Sequence, residues 1–438
     1  MTAAAAGPVF TLDCRNAAGE PVRLRYRPHT SELTDEAGTP LLADVRPEAF
    51  APAEAVSPGA PARKSRQVRT LKIQLGMRCN YGCSYCSQAS HAPDATLTRT
   101  ADADQFLAAL PRWLQGAPGR IEFWGGEPLL YFAKLRRLVP VLRERFPGAE
   151  LALITNGSLL DEEIVDFLVQ WGLYVGVSHD GPGQHLRGPD PFADPRRAHW
   201  LRELVRRGGR RVSFVVVLTP ENADVAATGA WIRKHVEDEG VTLDVEGIVS
   251  VYDDHALHGA GQWSEAAYRQ LHDSIVEGFA SGEALRYRGL RERARDFVAS
   301  LQQERPARAL GQKCGMDDPD QLAVDLKGNV MTCQNTGAKG RHRIGHAEEM
   351  DAVRLDTATH WSHREGCRHC PVVQLCKGSC MFLEGAHFAQ SCENEYRFNL
   401  AILAGVIRSL TGLHLERIGG DIRRPRARRT IRLAAASA

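Results

Sequence analysis

Between residues 71 and 279 the chain alternates short apolar runs with amphipathic stretches, and nothing else in it constrains the fold as much. The apolar runs are 71–75, 121–124, 151–154, 174–178, 212–218 and 243–249. The amphipathic stretches are 104–114, 132–146, 161–171, 196–207, 223–236 and 265–279. In the second of these, Leu135, Val139, Leu142 and Phe146 recur at helical spacing, the mark of a core-facing stripe. Six strand–helix units in succession predict an α/β chain with a parallel sheet and right-handed crossovers, either doubly wound or a partial barrel. In both, the loops that follow the strands build the site.

The first of those loops carries Cys79, Cys83 and Cys86. Gaps of three and then two residues suit one tight loop that gives three sulfurs to a single iron-sulfur cluster and leaves its fourth iron open. Zinc held by these thiols and a histidine is the competing reading. At 438 residues the chain is long enough for two or three domains. Its net charge of +2 gives no global reason to expect a nucleic acid partner. No apolar run is long enough to span a bilayer, and residues 1–8 lack the pattern of a secretory signal, so a cytoplasmic protein without a membrane partner is expected. In that compartment eleven cysteines read as metal ligands rather than disulfides, with Cys14 outside any cluster pattern.

The cysteine loop, with Tyr85 just before its third thiol, resembles the signature of radical S-adenosylmethionine (SAM) enzymes. That resemblance implies the partial (β/α)6 barrel, with three thiolates on a [4Fe-4S] cluster and SAM on its open iron. Later loops look like the family's SAM contacts. Gly125, Gly126, Glu127 and Pro128 follow the second run, Asn156 follows the third, and Ser178 ends the fourth with Arg187 beyond it. The segment around Ser178, His179, Asp180, Gly181 and Pro182 is similar to one in sulfatase-maturing and peptide-modifying members.

A second array follows: Cys314, Cys333, Cys367, Cys370, Cys376, Cys380 and Cys392. Its order resembles the SPASM domain, which houses two auxiliary [4Fe-4S] clusters, making three in all. The competing reading is a pair of zinc sites using His346, His360, His363 or His369. Carried over residue by residue, the resemblance puts Cys367, Cys370, Cys376 and Cys392 on an outer, fully ligated cluster and Cys314, Cys333 and Cys380 on an inner one. The inner cluster is one cysteine short. Its fourth iron is expected to be open to substrate, held by Asp320, or reached by Cys14.

The expected organisation is a β-rich appendage and linker (1–66), the barrel (67–285), a helical connector (286–312), the auxiliary domain (313–412) with a helix at 395–410, and a basic tail (413–438). The appendage is read either as a partner contact or as a hairpin capping the barrel. The resemblance implies oxidation of a precursor peptide or protein side chain, such as a crosslink or thioether, with an electron donor such as flavodoxin or ferredoxin. The rival is a dehydrogenase or epimerase of a sugar or aminocyclitol. Gln334, where sulfatase-maturing relatives have an aspartate, disfavours formylglycine formation. Asp180, His179, His185 and Glu246 are the candidate bases, with Asp244 beside them, since all lie near strand ends. The tail's arginines are read as a solvated basic segment, with nucleic acid phosphate or an acidic leader peptide as the alternatives.

Overall fold

The computed structural model describes residues 7–425. Its centre is the expected partial barrel: β5 (Thr70–Gln74), β6 (Arg120–Trp124), β7 (Glu150–Thr155), β8 (Tyr174–Ser178), β9 (Val212–Leu218) and β10 (Thr242–Ile248) pair in sequence order, all parallel. Helices α1 (Thr100–Trp113), α2 (Phe132–Arg145), α3 (Glu162–Gln170), α4 (Pro195–Gly208) and α5 (Val225–Val236) cross between them. The strands are apolar because both faces are covered, and Ile73, Phe123, Val177, Phe214 and Leu218 are almost wholly buried.

The sheet does not stop at β5. Strand β11 (Gln321–Asp325) pairs parallel with β5, and β12 (Asn329–Met331) and β13 (Arg343–His346) add antiparallel strands beyond it. The cysteine-rich region therefore grows from the barrel's own sheet. On the other side β10 is followed by the short α6 (Asp254–Leu257), then α7 (Glu265–Ser281) and α8 (Arg288–Gln302).

The appendage is a four-stranded antiparallel sheet. Beside the two expected strands, β1 (Phe10–Arg15) and β2 (Pro21–Arg27), it holds β3 (Glu32–Asp35) and a strand from the far end of the chain, β15 (His414–Gly419). Residues 414–419 fall in the stretch expected as basic tail. They pair because Leu415 alternates inward while Glu416 and Arg417 meet Arg15 and Asp13 on β1. Arg426, Arg428, Arg429 and Arg432 of that tail lie outside the described residues. A two-stranded sheet joins β4 (Ala62–Arg63) to β14 (Arg354–Leu355).

In the auxiliary region the short α9 (Glu365–Arg368) and α10 (Val373–Cys376) precede α11 (Gly385–Thr411). That last helix starts ten residues before the expected 395, so Cys392 sits within it. The polar residues that hide its first turns, Ser391 and Asn394, are buried and bond Val251 and Val249 rather than water. Among the described residues no helix is long and apolar enough to cross a membrane. Leu271, fully buried where α7 packs on α11, ties barrel to auxiliary region. Its replacement by Ala is expected to cost about 2–5 kcal/mol, read as a lower urea midpoint with unchanged slope.

Candidate functional site

The cysteine loop is folded by close backbone contact. Gly126 donates its N–H to Gly76 O (3.1 Å) and Glu127 donates to Arg78 O (2.9 Å), which presses the loop after β6 onto the loop after β5. A Cβ on Gly126 would collide with the Arg78 carbonyl, and one on Gly76 (φ +149°) would strike the Tyr131 hydroxyl. Glu127 turns inward. Its carboxylate accepts from Leu129 N (3.0 Å), Thr155 Oγ1 (2.7 Å) and Asn156 N (2.8 Å), and burial raises its pKa although these donors oppose the rise. Glu127 thus spends its acceptors on the protein itself.

A cavity of about 680 Å3 opens at the C-terminal ends of β5–β10. Cys79, Cys83 and Cys86 line it on one side, and Cys314, Cys333 and Cys380 line it as well. Of the residues expected to meet SAM, Tyr85, Gly125, Gly126, Glu127, Asn156, Ser178 and Arg187 reach this cavity, and Pro128 does not. Asn156 is locked by Asn80 and Ser158. Arg187 lies over the Tyr85 ring and pairs with Asp180. Burial works against its charge, but the Asp180 carboxylate together with Tyr85, Cys83 and Glu246 outweighs that and raises its pKa.

The candidate bases separate. Glu246 faces the cavity, and so does Asp244, which is held by Arg288 and by Gly289 N. Asp180 is wholly buried, accepting from Tyr85 Oη, Arg187 Nη2 (3.2 Å) and Val217 N (2.9 Å), and is absent from the cavity wall. His179, also wholly buried, stacks on Trp231, meets Asp190 and accepts from Gly181 N, while His185 is exposed elsewhere. Nor does the structure bring Asp320 or Cys14 to the inner thiols: Cys14 lies in the core under the appendage, bonded to Leu12 O. Gln334 lines the cavity, its amide oxygen 3.4 Å from Lys72 Nζ and its carbonyl held by Gln74.

A second, small cavity is lined by Cys367, Cys370, Cys376 and Cys392. The division of neighbouring thiols between the two cavities has a backbone cause. Lys377, Gly378 and Ser379 all have positive φ (51°, 84° and 59°), a left-handed corner that sends Cys376 to one cavity and Cys380 to the other. Two non-glycine residues held there cost about 1–3 kcal/mol each. Among the described residues no three His, Cys, Asp or Glu groups are placed to hold a single ion; the thiols share chambers rather than a point. Burial pushes Cys83 and Cys333 up to about 11 and Cys367, Cys376, Cys380 and Cys392 up to about 12, so metal binding here must release protons. Ser379 Oγ, Arg364 Nη1 and Arg424 Nε are buried without a protein acceptor. Donors left over beside thiols suit the sulfur of a bound cluster. No pattern in the sequence singles out Arg364, or Tyr252 and Glu292 on the larger cavity wall, and Arg424, expected in a solvated tail, is instead half-buried against Glu393 and Tyr396.

Fold and site define a parallel partial-barrel protein with six thiols lining one chamber. Residues 73–231 of the chain match the radical SAM superfamily. Over 184 residues it is 33% identical to a probable GTP 3',8-cyclase of Methanopyrus kandleri, covering 41% of this chain and 57% of that one. It is 22% identical over 175 residues to the radical SAM cyclopropyl synthase TigE of Paramaledivibacter caminithermalis, covering 36% and 37%. The chain thus spans little more than half, or less, of the length of these curated relatives. The solved structure of native anSMEcpe with bound AdoMet and Cp18Cys peptide shares the fold, with a TM-score of 0.55 at 19% identity over 78% of this chain and 99% of that one.

Asp180→Asn leaves Arg187 buried without its counter-charge. It is expected to cost about 3–5 kcal/mol in chemical denaturation. His342, packed against His91 and Phe382, has its pKa lowered to about 4 by burial and by the nearby charges of His91 and Arg341. The unfolded chain takes that proton near 6.5 and the folded chain only near 4, so stability falls as pH drops through this window. His342→Phe is expected to flatten the fall, measured as denaturation midpoints at a series of pH values.

Proposed function

We propose that the chain is a radical SAM/SPASM enzyme that oxidises a side chain of a ribosomal peptide or protein. One observation carries this reading: the three loop thiols and Cys314, Cys333 and Cys380 line the same cavity, so a substrate seated there meets both sets. Cys79, Cys83 and Cys86 would hold the SAM cluster, Cys314, Cys333 and Cys380 the inner auxiliary cluster, and the remaining four thiols the outer one. When bound, the reduced cluster and SAM supply a 5′-deoxyadenosyl radical that takes hydrogen from an unactivated C–H bond.

The chain's own residues contribute position and exclusion. The Asp180–Arg187–Tyr85 contact fixes the cysteine loop against β8 and β9, and the Glu127 carboxylate fixes the loops beside it. Reacting atoms held close in a water-poor chamber gain much of the rate from position alone. Glu246 is the exposed carboxylate of the cavity with no ion-pair partner among those expected, and is our candidate for proton removal. Gln334 presents an amide where formylglycine chemistry would need a base. The peptide carried by anSMEcpe supports a peptide substrate. An electron carrier of the flavodoxin or ferredoxin kind would complete the cycle.

The test is anaerobic reconstitution with dithionite and SAM, adding in separate reactions a peptide encoded beside the gene, GTP, and a sugar or aminocyclitol. Peptide-dependent 5′-deoxyadenosine with a mass loss in the peptide is expected. Formation with a small molecule alone would replace the peptide reading, and no SAM cleavage under any condition would end it. Cys79→Ala is expected to bring cleavage to background. Cys333→Ala is expected to lose one cluster's iron, keep SAM cleavage and lose the modified peptide.

A further inference from the structure

The end of the described chain packs on α9, which forms one wall of the outer thiol cavity. After β15 the segment Gly420–Pro425 turns back across α9. Arg423 pairs with Glu365 (3.0 Å), Asp421 meets His369 (3.1 Å), and a Cβ on Gly366 would lie 2.6 Å from Arg423 O and 3.0 Å from Pro425 Cδ. The glycine at 366, beside Cys367, is what lets this strap lie flat. Arg424 comes down inside it. Its guanidinium sits 3.6 Å over the ring of Tyr396, which lines the outer cavity, and its Nε is buried with no acceptor. On another wall Arg364 stacks 3.8 Å over Phe388, also a lining residue, and gives Nη2 to Met381 O and Leu383 O while Nη1 has none.

We propose that the strap 420–425 seals the outer cluster site and that the charge of Arg424 raises the reduction potential of the cluster held there. The proposal rests on the reading of Cys367, Cys370, Cys376 and Cys392 as cluster ligands. A fixed positive charge beside a site favours the more negative, reduced state of its neighbour. Tyr396 lines the outer cavity and not the larger one, so Arg424, stacked on its ring, stands beside the outer site. Glu393, its partner, is also held by Arg397 at 2.8 Å. Removing Arg424 therefore leaves the carboxylate in place and lowers the local charge by one.

The experiment is a redox titration of the reconstituted full-length protein followed by electron paramagnetic resonance, comparing wild type with Arg424→Gln and Arg424→Lys. Arg424→Gln is expected to shift the outer couple about tenfold toward oxidation, ~59 mV for one electron, with the SAM cluster unmoved; its outer signal should also bleach faster in air. Arg424→Lys, which keeps the charge, is expected to restore most of the potential. An unmoved outer midpoint in Arg424→Gln, or an equal fall in both variants, would overturn the proposal. Iron and sulfide for fewer than three clusters in the wild type would instead overturn the reading on which it rests.

Discussion

Much of the site depends on one buried carboxylate. Glu127 belongs to the loop after β6, yet its side chain takes donors from the loop after β7 and its backbone N–H goes to the loop after β5. Three strand ends are thereby set relative to one another, and the cysteine loop is one of them. A carboxylate without water has to be paid for in hydrogen bonds, and this one receives three. Glu127 thereby holds the loops around a cavity that it also lines.

The barrel was legible because its signals are local. Each apolar run is bounded by turn residues, each helix has its own stripe, and all six strands lie within one residue of their expected limits. The thiols were legible for the same reason, since loop spacing is written directly in the chain. What escaped are partnerships between distant segments. Nothing near residue 321 says that β11 will pair with β5, and nothing near 414 says that β15 will find β1. Among the candidate bases, His179 and Asp180 stand next to a strand end, as a catalytic residue would, but alternate positions there turn to the helix side or are consumed by buried partners. Glu246, two positions after Asp244 on the same strand, faces the chamber with it.

The auxiliary region shows how backbone conformation can sort chemically identical groups. Cys376 and Cys380 are four residues apart, and in a regular helix they would share a face. The left-handed corner at Lys377, Gly378 and Ser379 breaks that and puts a wall between them. Ser379 touches both chambers, so the wall is one residue thick at that point. The corner thus keeps thiols of one set from serving the other.

The pairing of β1 with β15 has a consequence for how the molecule is made. Arg15 and Glu416 are 401 residues apart, and the appendage cannot complete its sheet until the second of them has left the ribosome. The strap follows directly after β15. The strap is thus made after the segments that carry Cys367, Cys370, Cys376 and Cys392, and among the described residues it is the last to join the fold's sequence of elements.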